Sequence, residues 1–199
     1  VAAAPRVTGL RRRGTTRVEI ELDGEPWRAV PLEALQQTAL AVGSTLDRGA
    51  ARELGRALRR HRALSVAVGA LRGRDHTTAS LVRRLAARGV RPAERSETLA
   101  VLGRAGLVDD TRFAHDRAAL LARRGGGDRR IAFDLERQGV AAELAAAAIA
   151  ALEPERERAQ RIVGERGRTA KTLRALAAQG FSEEALEGLV AEADAGALG

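Results

Sequence analysis

A chain of 199 residues fits one globular domain or a few small modules, and with 34 basic against 26 acidic side chains it carries a net charge of +8. It has no cysteine, which excludes disulfides and cysteine-ligated zinc, and no apolar run of about 18 residues that could span a bilayer. Aromatics are only 2% of the residues, so any core must be built from Leu, Val and Ala. The N-terminal "VAAAPRVTGL" lacks the apolar stretch of a signal peptide, and a soluble, cytoplasmic protein without membrane contact is expected.

In "TRVEIELDGEPWRAVPLEAL" the residues Val18, Ile20 and Leu22 alternate with Glu19, Glu21 and Asp23. That period of two predicts a strand with one buried face. Asp23-Gly24 signals a turn, "WRAV" can be the returning strand, and "RVTGLRR" can add a third. A small β-hairpin element is thus expected over the first 31 residues. A helix over roughly 32–41, closed by Gly43, should follow and complete an N-terminal segment, 1–46.

The basicity lies in residues 47–106, which hold 14 basic and 5 acidic side chains, a local charge of +9. Asp47 can cap a helix on which Arg48, Arg52, Arg56, Arg59 and Arg60 share one face, with Leu54, Leu58, Leu64, Val68 and Leu71 on another. Such a stripe is either a solvated outer face or a docking surface for phosphates or an acidic protein. Charge alone does not choose between them.

From residue 61 onward helical patterns fall near 62–73, 77–88, 93–105, 110–124, 129–138, 142–152, 154–166, 168–179 and 182–194, with Gly89, Gly106, Gly139 and Gly180 placed as C-caps. The stretches "LVRRLAARGV", "IAFDLERQGV" and "TLRALAAQGF" align on Leu85, Leu135 and Leu176, each four positions before a glycine, followed by Val90, Val140 or Phe181. An apolar residue returns ten positions past each glycine, at Leu99, Ile149 and Val190. This register predicts a mainly α fold of three tandem three-helix repeats, the first together with the basic helix over 47–106 and the others over 107–153 and 154–199, in an elongated curved array behind the β-hairpin element.

Candidate chemistry is sparse. In "GLVDDTRFAHDRAALLARR" the paired Asp109 and Asp110, with His115, suggest an acid/base or metal site. Each also has a structural use: Asp109 as N-cap, Asp110 against the helix dipole, and Val108 with Phe113 as a hydrophobic staple. The loop "RRGGGDRRI" can cradle a phosphate at a helix N-terminus or serve as a linker capped by Asp128, and it lacks the P-loop spacing. His61, His76 and His115 are scattered. The pattern points to a binding protein and not to an enzyme, with no cofactor or metal.

The stretches "LRGRDHTTASLVRRLAARGV", "GLVDDTRFAHDRAALLARRGGGDRRIAFDLERQGV" and "LAAQGFSEEALEGLV" resemble the RecX family, bacterial modulators of the RecA recombinase. The resemblance spans roughly residues 47–195 and is most specific in the ordered set Leu107, Asp109, Asp110, Phe113, Ala114, Gly125, Gly127, Arg130, Ile131, Leu135 and Gly139. It implies a protein that binds the RecA nucleoprotein filament on single-stranded DNA and inhibits its ATPase, strand-exchange and co-protease activities, thereby modulating recombination and the SOS response; a monomer is the default expectation. Weaker binding to duplex DNA is implied as well. It places Arg74, Arg84, Arg88, Arg123, Arg129 and Arg130 at basic positions of the matching motifs. Gly126 stands where an aromatic is common in the family, and Leu121 where an arginine is usual. These departures shift the expected partner contact toward Arg48, Arg52 and Arg56 in the +9 segment. The rival reading is an autonomous DNA-binding protein of helix-turn-helix type, although "TTASLVRRL" offers no obvious base reader.

Overall fold

The computed structural model describes residues 3–187 and Leu189. They form two compact units: the first comprises residues up to Arg74 together with Val82–Ala105, and the second comprises Asp75–Leu81 and the described residues from Gly106 onward.

The first unit begins with an antiparallel three-stranded sheet, β1 (Val7–Arg13), β2 (Arg17–Leu22) and β3 (Glu25–Pro31), in the order β1-β2-β3. The optional third strand of the sequence reading is therefore real. Asp23 (φ 50) and Gly24 (φ 90) form the turn between β2 and β3 with both φ values positive, the backbone that matches the right-handed twist of a hairpin. Val18 and Ile20 are buried as the alternation predicts. Glu21 departs from it and is buried too. The register shifts between Val7 and Gly9, where a Cβ at residue 9 would collide with the Glu21 carboxylate, so glycine makes room for the acid. Arg11 Nε pairs with Glu21 at 2.7 Å.

The helix expected over 32–41 is a single turn, α1 (Leu32–Leu35). Thr38 Oγ1 donates to the Leu35 carbonyl at 2.7 Å and satisfies a group that a continuing helix would have used. The chain then pairs with the start of β1, Val7 N–H donating to Ser44 O and Gly43 N–H to Val7 O, both at 2.8 Å. Leu40 and Leu46 thereby join Val7, Val18, Ile20, Val30, Leu35 and Leu54 in the core.

One continuous helix, α2 (Arg48–Leu71), replaces the two helical patterns read on either side of residue 61. Asp47 caps it, accepting from Ala50 N at 2.8 Å. Its buried residues are Leu54, Ala57, Ala63, Ala67 and Ala70, whereas Leu58, Leu64, Val68 and Leu71 are only half-buried. The seam is thus lined mainly by alanine, which permits close approach of backbones. Next come α3 (Thr78–Ala87) and α4 (Pro92–Arg104).

In the second unit α5 (Asp110–Arg123), α6 (Asp128–Gln138) and α7 (Ala142–Ala150) enclose Ala114, Ala118, Leu121, Ile131, Leu135, Val140, Ala145 and Ala148. A further cluster of Ala159, Val163, Leu173, Leu176, Phe181, Leu186 and Leu189 is contributed by α8 (Glu155–Arg166), α9 (Ala170–Ala178) and the helical residues 183–187 with their flanks. The helix expected over 182–194 begins here, but its part from 190 onward, with Val190, lies outside the described residues.

The glycine caps form as their spacing predicts. Val90 N–H donates to Leu85 O (3.0 Å), Val140 N–H to Leu135 O (3.0 Å) and Phe181 N–H to Leu176 O (3.2 Å), the 6→1 bond of the Schellman motif. Gly89, Gly139 and Gly180 supply the left-handed residue at φ 72, 83 and 87. A fourth cap, not read from the sequence, ends α5, where Gly126 N–H donates to Leu121 O at 2.9 Å.

Candidate partner-binding surface

The arginines divide into those fixed by carboxylates and those left on the surface. In the first unit Glu94, buried on α4, takes Arg59 Nε at 3.0 Å and also Arg91. These two cations hold the Glu94 carboxyl down at about 2, the Arg91 hydrogen bond being the larger cause. Arg59 therefore ties α2 to α4 and is not part of a free stripe. In the second unit Arg117 grips Asp134 with bonds of 2.7 and 2.9 Å, joining α5 to α6, and this bond lowers the Asp134 pKa.

The nine arginines expected at the partner surface all remain exposed, and none forms a salt bridge among the described residues. Arg48, Arg52 and Arg56 succeed one another at four-residue spacing on the outer face of α2. Arg74 follows the end of that helix, and Arg84 and Arg88 project from α3 and the residue after it, all in the first unit. In the second unit Arg123 closes α5 while Arg129 and Arg130 lie in the first turn of α6, across a four-residue connection.

Asp109, Asp110 and His115 do not converge. Asp109 accepts from Arg112 N at 2.9 Å as an N-cap, with Val108 buried beside it. Asp110 accepts from Thr78 N at 2.7 Å, so it helps to cap α3, a helix 32 residues earlier, as well as opening its own. His115 is exposed. Among the described residues no three His, Cys, Asp or Glu side chains gather to hold a metal, and no helix is long and apolar enough to cross a membrane.

The "RRGGGDRRI" loop also corrects its sequence reading. Gly127, not Asp128, is the N-cap residue of α6. Three of the N–H groups that could cradle a phosphate are already used: Gly127 N–H donates to Gln179 O (3.0 Å), Asp128 N–H to Glu155 Oε1 (2.6 Å) and Arg129 N–H to Gly180 O (3.2 Å). Asp128 instead receives Arg158, a buried guanidinium that also donates to Gly126 O (2.8 Å) and Glu153 O (2.9 Å) and lies 5.7 Å from the Phe181 ring centroid. Burial, with Glu155 close by, raises the Asp128 pKa despite Arg158. Glu155 completes the hub by accepting from Ser182 Oγ at 2.6 Å.

Sequence reasoning passed over Phe133. It is 59% exposed on α6, and the Arg137 guanidinium lies 5.8 Å from its ring centroid. Its signal was present: a large aromatic off the Ile131/Leu135 stripe, flanked by Arg130 and Arg137 at helical spacing.

No protein-family model and no curated protein matches the sequence. Solved structures do match. A crystal structure of regulatory protein RecX superposes with a TM-score of 0.78 at 20% identity, spanning 93% of this chain and 98% of that one. The chain has the RecX fold. RecX from Lactobacillus salivarius matches with a TM-score of 0.59 at 17% identity, over 68% of this chain and 97% of that one.

Leu121 and Gly126, the two positions expected to depart from the pattern of the family the sequence resembles, have local roles. Leu121 is buried in the α5–α7 core, and a Cβ at residue 126 would sit 3.0 Å from the Leu121 carbonyl that its own N–H already engages. A side chain at residue 126 therefore needs the cap to open slightly.

Proposed function

We propose that the protein is a non-enzymatic, RecX-type regulator that binds the RecA nucleoprotein filament on single-stranded DNA as a monomer and inhibits its ATPase, strand-exchange and co-protease activities. The observation that carries this reading is the fold match to regulatory protein RecX across nearly the whole of both chains. The exposed arginines support it: Arg48, Arg52 and Arg56 on α2, and Arg74, Arg84, Arg88, Arg123, Arg129 and Arg130 elsewhere, form no salt bridge among the described residues that binding would have to break. Guanidinium groups pair bidentately with phosphates or carboxylates and release counterions from nucleic acid on doing so. Phe133, with Arg137 at its face, adds an aromatic surface on which an unstacked base can lie.

The test is RecA ATP hydrolysis on single-stranded DNA with this protein added below the RecA concentration. The expected result is a fall in rate that weakens as salt is raised. Hydrolysis that stays constant at every ratio would sink the reading.

A further inference from the structure

A cavity of about 430 Å³ in the second unit lies between the C-terminal ends of α5 and α8 and one side of α9, along which its lining runs from Thr169 to Gln179. Three cationic side chains reach it from three elements: Arg124 after α5, Arg166 at the end of α8 and Lys171 in the first turn of α9. No acidic side chain lines it, and none of the three cations forms a salt bridge among the described residues. None of the nine partner-surface arginines lines it either.

The cations differ in what explains them. Arg124 and Arg166 stand at helix C-termini, where the backbone carbonyls favour positive charge. Lys171, the only lysine in the chain, stands at the opposite pole: the first turn of α9 has no acidic residue, and a cation there opposes the helix dipole. An anion in the cavity removes that conflict. The rest of the site suits it, because Thr169 and Thr172 bring hydroxyls joined by a 3.0 Å hydrogen bond, and the N–H groups of Ala170 and Lys171 lie at the open end of the helix. Ile162 and Leu176 supply an apolar wall beside the charged end, so the cavity offers two environments, one for an oxyanion and one for a less polar body.

We infer that this cavity binds the phosphate of a nucleotide, with Arg124, Arg166 and Lys171 holding the phosphate oxygens and Ile162 and Leu176 packing against the sugar or base. The inference goes beyond the RecA-directed reading and does not rest on it.

The test is titration of the full chain with thymidine 5′-monophosphate, followed by the backbone amide resonances of Thr169, Lys171 and Thr172. Saturable shifts at these amides are expected, with affinity lowered at least tenfold by Lys171→Glu and by Arg166→Glu but not by Arg56→Glu. Lys171 and Arg166 are exposed, and an acid in the first turn of α9 complements the dipole, so Lys171→Glu is expected to keep or raise the melting temperature while losing the ligand. A short oligothymidylate that displaces the mononucleotide identifies the source as single-stranded nucleic acid; one that leaves it bound identifies a free nucleotide. The absence of shifts at these amides with either ligand, or shifts that survive both charge reversals, overturns the inference.

Discussion

Arg158 on α8, with 3% of its side chain exposed, donates to the carboxylate of Asp128 at the start of α6, thirty residues earlier. Around this pair Gly126 O, Glu153 O and the Phe181 ring fill the remaining faces of the guanidinium, so one buried cation holds the α5–α6 loop, the α8 N-terminus and the cap after α9.

Replacing Arg158 by Met is therefore expected to be strongly destabilising. It strands two carbonyls and leaves Asp128 beside Glu155 without the cation that pairs with it. Loss of one partner from a buried pair costs about 3–5 kcal/mol, and a value of about 2–4 is expected here because Asp128 is one-third exposed. Urea denaturation measures it, and Arg158→Met with Asp128→Asn should recover part of the loss.

Glu94 sets an acid-sensitive component of stability. Its pKa is lowered from 4.5 to about 2, so the folded state binds the proton less tightly than the unfolded chain. The contribution is complete above pH 4.5 and disappears as pH falls through about 2. Asp134, also lowered, acts in the same sense, whereas Asp128, raised, acts in the opposite one: its ionisation costs stability as pH rises from 3.8 through its folded value. Unfolding free energy measured against pH should fall less steeply below pH 4.5 in Glu94→Gln, and more steeply in Asp128→Asn.

Gly127 and Gly139, at opposite ends of α6, should respond differently to alanine. At Gly139 the cost is that of a left-handed residue, about 1 kcal/mol, because φ is 83. At Gly127 a Cβ would run into the backbone of Gly180 and Phe181, which cannot retreat as a flexible side chain can. Gly127→Ala is expected to cost more than Gly139→Ala, by about 1–3 kcal/mol for forced overpacking, and thermal melts of the two variants decide it.

Converting Arg48, Arg52 and Arg56 together to Gln should leave stability within about 0.5 kcal/mol, since all three are exposed and unbridged. Inhibition of RecA should weaken at least tenfold, and if the three meet DNA phosphates the log–log salt slope should fall by about 2. Unchanged inhibition would falsify the assignment of these residues to the partner surface. The same assay with Phe133→Ala reports whether the exposed ring on α6 takes part.

What the sequence determined is what depends on near neighbours along the chain. The caps at Gly89, Gly139 and Gly180 are 6→1 hydrogen bonds, Asp47 and Asp109 bond three residues ahead, and the strand pattern at Val18 and Ile20 is a two-residue period. Each is complete within six residues, so spacing alone reveals it. Tertiary structure decided whatever needed a partner from elsewhere. Arg56 and Arg59 look equivalent on one stripe, but only Arg59 meets Glu94, 35 residues away. Asp110 reads as a dipole-compensating acid until Thr78 is brought to it. The stretch 125–129 reads as a phosphate cradle until Gln179, Glu155 and Gly180 take the N–H groups of Gly127, Asp128 and Arg129. A charged or hydrogen-bonding group is committed or free according to which partner lies within about 3 Å of it, and for these groups the chain supplies that partner only after it has folded.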